Sequence, residues 1–100
     1  MAAKAQTAVK PEDDVGVLRN IGAAMRADFH LLGIRTVGEL ATREADALYL
    51  DLAARTGRRH DPCVHDTFAA AIHQARTGEA LAWWVFTPAR KARQKAGTFV

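Results

Sequence analysis

The chain carries a single cysteine, Cys63, so no disulfide can close within it and its stability must come from an apolar core. It has no uninterrupted apolar run near the roughly 20 residues that span a bilayer. The opening Met1-Ala-Ala-Lys-Ala-Gln6 lacks the apolar centre of a signal peptide, and a cytoplasmic location with no membrane contact is expected. Glycine-rich phosphate loops, paired metal-binding cysteines and a Ser-His-Asp order are missing too. No segment alternates apolar and polar residues as a half-buried strand does. These gaps weigh against an enzyme, a cofactor and a β architecture.

What is present is 100 residues that are 49% hydrophobic, enough to bury one core. Charge divides the chain more sharply than its overall +3 suggests. Between Glu12 and Phe86 eight arginines face eleven acids, a net of −3, while Lys4, Lys10, Arg90, Lys91, Arg93 and Lys95 lie outside that span. We therefore divide the chain into a flexible N-terminal tail (1–11), a domain (12–86) and a basic C-terminal tail or helix (87–100), and expect polyelectrolyte affinity to come largely from the tails.

Within the domain the periodicity is helical. Asp13 and Asp14 suit the first turn of a short helix carrying Val15, Val17 and Leu18, after which Asn20 to Gly22 turns the chain. Met25, Phe29 and Leu32 share one face of a helix over 23–32, with Gly33 as its left-handed cap. Thr36-Val-Gly-Glu39 has capping-box spacing and predicts a brief helix through Ala41. Ala45, Leu48, Tyr49 and Leu52 form the stripe of the next helix, closed by Arg55 and Gly57. Asp61-Pro62 opens a helix whose Val64, Phe68, Ala71, Ile72 and Ala75 share a face up to Gly78. The expected fold is all-α, a small orthogonal SAM-like bundle of about five short helices containing a helix-hairpin-helix.

That hairpin is the stretch Leu18-Arg-Asn-Ile-Gly22 with the helix after it. In sequence it is followed by Leu32-Gly-Ile34, Val37-Gly-Glu-Leu40, Ala47-Leu-Tyr49 and Arg59-His-Asp-Pro-Cys-Val64. In that joint order, from about Val15 to Trp84, the chain resembles the bacterial "pathogenicity locus" helix-hairpin-helix proteins, often labelled mitomycin-resistance proteins. Its first half is also similar to the C-terminal domain of competence regulators of the TfoX type. The resemblance implies a DNA-binding domain. Ala23 and Ala24 stand where related hairpins commonly carry Pro, Gly or Lys.

A hairpin of this kind aims the amides of Gly22, Ala23, Ala24 and Met25 at solvent, where orphan donors and the helix dipole suit a phosphate oxygen. Gly22 is expected to serve the turn through a positive φ or close backbone approach. Arg19, Arg26 and Arg35 flank the hairpin, and Arg90, Lys91, Arg93 and Lys95 add the basic tail. The expected partner is DNA, held through its backbone without sequence preference. Asp28, Glu39 and Glu44 are near enough in sequence to pair with the same arginines as ordinary surface ions, and the alternative is a protein-interaction module that binds no nucleic acid.

Two clusters remain. His60, Cys63, His65 and His73 have metal-ligand chemistry but not the spacing of a zinc site, so no metal is expected and Cys63 is read as a small buried side chain; Asp61 and Asp66 oppose a thiolate there. Ala82-Trp-Trp-Val-Phe86 reads as a strand or extended segment sealing the bundle, one indole buried and one partly wet, a role preferred to base stacking. Thr87-Pro88 starts a possible helix over 89–96 with four cations and no large apolar residue to pack.

Overall fold

The computed structural model describes residues 9–100; Lys4 and the rest of the expected tail up to Ala8 lie outside the described residues. Five α-helices follow one another there: α1 (Ala23–Leu31), α2 (Val37–Ala41), α3 (Ala45–Thr56), α4 (Pro62–Thr77) and α5 (Thr87–Ala96). Two 3-10 turns, Val15–Val17 and Trp83–Phe86, complete the order. Among the described residues there is no strand, and one isolated bridge joins Asp14 to Thr36. The fold is all-α.

The caps act as their chemistry dictates. Thr36 and Glu39 form a reciprocal capping box on α2, and the Asp61 carboxylate accepts from the Cys63 amide ahead of Pro62 on α4. Behind α1, Gly33 sits at φ +80 while the Ile34 amide donates to the Phe29 carbonyl at 2.8 Å, the long bond of a Schellman motif. That bond places Phe29 and Ile34 together in the core, both essentially free of solvent.

α4 is the central element, packed on α2, α3, α5 and the second 3-10 turn. Its Phe68, Ala71 and Ile72 are buried, and Val64 and Ala75 lie partly buried against the core. The Phe68 ring meets Phe29 with centroids 5.2 Å apart. Its other face is covered as well: His65, Asp66, Thr67 and Gln74 are all buried, which an apolar stripe does not signal.

Four expectations are corrected. The first arm of the hairpin is a single 3-10 turn and not an α-helix. Its amides close three-residue bonds, Val17 to the Asp14 carbonyl at 3.1 Å and Leu18 to the Val15 carbonyl at 3.2 Å, and the left-handed Asn20 at φ +77 ends it before an α-helical turn can form. Ala82 to Phe86 is a 3-10 turn and not extended; neither indole is buried, Trp83 being half-covered and Trp84 59% exposed. The 87–100 stretch is docked on the bundle, with α5 inward-facing at Arg90 and with Phe99 and Val100 packed partly buried on the core. The stretch before Glu12 is held in part: Val9 packs on the core, and the Pro11 carbonyl accepts from Gly38 at 2.9 Å.

Candidate nucleic-acid interface

The turn ahead of α1 is anchored from below by the buried Leu18 and Ile21. The residue in the left-handed region is Asn20, at φ +77, while Gly22 is extended at φ −89 and ψ −172 with open space where a Cβ would stand. The positive φ expected of Gly22 is therefore carried by its neighbour, a residue type that tolerates it. Asn20 also clamps the turn to the far end of the chain, donating to the Leu81 carbonyl at 2.9 Å and accepting from the Trp83 amide at 3.2 Å. Beside it the Arg19 amide donates to the buried Gln74 side chain at 2.8 Å, and its guanidinium donates to the Ala80 carbonyl at 2.9 Å.

This clamp presents the N-terminus of α1 to solvent. Gly22, Ala23 and Ala24 are exposed, no side chain caps the first turn, and no acid lies in it. α2 and α4 fill that position with Thr36 and Asp61, and α3 has Asp46 in its first turn. At α1 the orphan amides and the positive end of the dipole remain open to an outside anion.

The flanking arginines are differently engaged. Arg26 grips Asp14 with two nitrogens at 2.7 and 3.1 Å, both side chains being about half exposed. Hydrogen bonds from Arg26 and from the Gly16 amide hold the Asp14 carboxyl down at about 2. His30 lies 3.6 Å from Asp14 and 3.4 Å from the Arg35 guanidinium, so Arg26 and Arg35 stand on two sides of one Asp14–His30 pair. Of the acids near in sequence, Glu44 pairs with Arg76, and Glu39 accepts from the backbone amides of Arg35 and Thr36.

The four cations of α5 divide by face. Arg90, only 8% exposed, donates to both oxygens of the fully buried Asp66 at 3.2 and 2.8 Å, and Thr87 donates its hydroxyl to the same carboxylate at 2.8 Å. Arg93 makes two 2.9 Å bonds to Asp46, holding that carboxyl at about 2 together with His65. The guanidinium of Arg93 also lies over Phe99, as does that of Arg59. Arg90 is thus an internal fastener rather than a free phosphate ligand, Arg93 is paired at an exposure close to that of the Arg26 pair, and Lys91 and Lys95 are exposed and make no ion pair within the described residues.

Cys63 and the histidines do not converge. His60 meets the Thr56 hydroxyl, His65 meets Asp46 and His73 meets Glu79. Cys63 is half-buried, its thiol pushed up by burial and by the neighbouring Asp61. It opens on a groove of about 530 Å³ shared with Trp83, Trp84, Thr87, Pro88, Arg90 and Lys91. Trp84 is the wet indole expected of the pair, while Trp83, expected to be buried, is only half-covered. The aromatic content of this segment favoured a sealing role over base stacking, because large aromatics more often bury than stack on a ligand.

Comparison with known proteins agrees with the order of motifs. The family model described as "Pathogenicity locus" matches residues 12–92, the span from just before the first 3-10 turn to within α5. The chain is 37% identical over 78 residues to "Mitomycin resistance protein McrB" of Streptomyces lavendulae, covering 78% of this chain and 74% of that protein. No solved structure matches.

Proposed function

The chain belongs to the pathogenicity-locus family, and from that premise we propose that it is a DNA-binding module without sequence preference that contacts the phosphate backbone. The observation that carries the reading is the open N-terminus of α1, uncapped, free of acids and clamped by Asn20. The 3-10 turn, the Asn20 turn and α1 act together as a helix-hairpin-helix with a shortened first arm, set in a SAM-like bundle. A phosphate oxygen accepts from the first-turn amides, Arg19 and Arg26 contact the neighbouring phosphates, and Arg35, Lys91 and Lys95 extend the positive surface. Arg26 exchanges an exposed carboxylate for a phosphate, a swap that is cheap because surface ion pairs contribute little. The module binds and does not catalyse. A part in mitomycin resistance is carried over from the relative's name, and loss of the chain from its host is then expected to raise sensitivity to that compound.

Gly22→Asp separates binding from folding. The extended backbone at position 22 suits an N-cap aspartate, and nothing lies within 4 Å of the new Cβ. Helix stability is expected to hold or rise by a few tenths of a kcal/mol, while the new carboxylate occupies the phosphate site and weakens duplex binding at low salt by about tenfold. A folded Gly22→Asp protein that binds duplex as tightly as the parent would overturn the reading. Val17, Leu31 and Leu50, each about half exposed, would then favour a protein-interaction module.

A further inference from the structure

The second 3-10 turn leaves a large aromatic side chain without a structural task. Trp84 is 59% exposed and stands edge-on to Trp83, ring centroids 5.8 Å apart at 82°. Bundle packing is supplied elsewhere, by Phe29, Tyr49 and Phe68, all fully buried. The groove that the two indoles line continues onto α5 through Thr87, Pro88 and Lys91, and among the described residues no acidic side chain lines it. Its one internal cation, Arg90, is already neutralised by Asp66, so Lys91 sets the sign of the opening. A flat apolar wall beside an unpaired ammonium fits a ligand with an aromatic face and a negative charge a short distance away. Each unit of a nucleic-acid strand has both.

Placement narrows the ligand further. The Trp83 amide is bonded to the Asn20 side chain, the same side chain that holds the turn in front of α1. A direct hydrogen bond therefore ties the turn that carries the groove to the turn ahead of the proposed phosphate site. A duplex hides its base faces in the stack and has nothing to offer Trp84, whereas an unpaired strand or a frayed end does.

Resting on the DNA-binding reading above, we propose that this surface takes single-stranded DNA, with one unpaired base stacked on Trp84 and a neighbouring phosphate at Lys91. No sequence preference follows, because every base has a π-face.

The test uses the full chain and three probes of equal length at fixed low salt: an oligothymidylate, the corresponding abasic strand and a duplex. The oligothymidylate is expected to bind tightest and to quench indole fluorescence. Trp84→Ala is expected to weaken it by about tenfold, towards the level of the abasic strand, without changing duplex binding. Trp84→Phe is expected to recover most of the loss. Since Trp84 is mostly solvated, both variants are expected to keep the parent's helical circular dichroism. If Trp84→Ala binds the oligothymidylate like the parent, or the abasic strand binds as well as the base-bearing one, the stacking inference is wrong while the phosphate reading stands. If neither strand nor duplex binds, both fail.

Discussion

Arg26 and Arg90 each hold an aspartate with two guanidinium nitrogens, yet the two pairs have opposite consequences. Arg26 and Asp14 are 49% and 40% exposed in their side chains, whereas Arg90 and Asp66 are 9% and 0% exposed. Water competes for the first pair and screens it, so breaking it costs little and the arginine is available to another anion. The second pair is sealed, and either partner left alone would be a charge buried without compensation. Identical chemistry thus makes one arginine a candidate ligand for phosphate and the other a fastener that fixes α5. Burial, and not residue type, separates the Arg90 pair from the Arg26 pair, and the Arg93–Asp46 pair of α5, 36% and 41% exposed, resembles the latter.

The sharpest way to break that contrast is to remove one partner from each pair. Arg90→Ala or Asp66→Ala is expected to destabilise the fold by roughly 3 to 5 kcal/mol, on the scale of Phe68→Ala in the core, while Arg26→Ala is expected to cost less than about 1 kcal/mol. Denaturant unfolding midpoints measure all of these. Equal costs for Arg90→Ala and Arg26→Ala would dissolve the distinction. A chain ending at Phe86 is for the same reason a poor probe of the basic tail, since it strands Asp66 inside the bundle.

Acid acts on both sides of the comparison, since Asp14 beside Arg26 is lowered from 3.8 to about 2 as well. Asp46, facing Arg93 and His65, is lowered from 3.8 to about 2, chiefly by its hydrogen bonds from Arg93. A carboxyl depressed in the folded state contributes stability above its unfolded value and loses it as the pH falls through its folded one. Unfolding midpoints are therefore expected to drop as the pH falls from about 4 to about 2. Asp46→Asn should flatten part of that drop, and a drop unchanged in this variant would mean that other acids govern it.

The smallest expected effect lies on the α1 side. Arg19→Ala combined with Arg26→Ala should leave stability nearly unaltered but lower the slope of log affinity against log salt on duplex DNA by about 0.9 for each phosphate no longer neutralised. An unaltered slope in the folded double variant would remove these arginines from the interface.

Much of this was legible in the chain. Asp61-Pro62 and the Thr36–Glu39 box act within one turn of helix, and the stripes of α1, α3 and α4 follow from a fixed 3.6-residue period, so both were readable without a partner. The candidate hairpin was legible for the same reason, since its donors belong to its own backbone. The engagement of the α5 cations was not, because Asp66 and Asp46 lie 24 and 47 residues away from Arg90 and Arg93. Nothing in a basic stretch tells which of its residues will meet a buried carboxylate.

The sequence by itself determined the all-α class, the starts and stops of α2, α3 and α4, most of the apolar core and the family, because each depends on local backbone chemistry or on the order of short motifs. Tertiary structure alone decided which cations are left free, that the positive φ falls on Asn20 and not Gly22, and that both indoles are left open to water. Those outcomes depend on which distant groups the packing of α4 brings together. Exposure and pairing are properties of the assembled surface, and no local pattern encodes them.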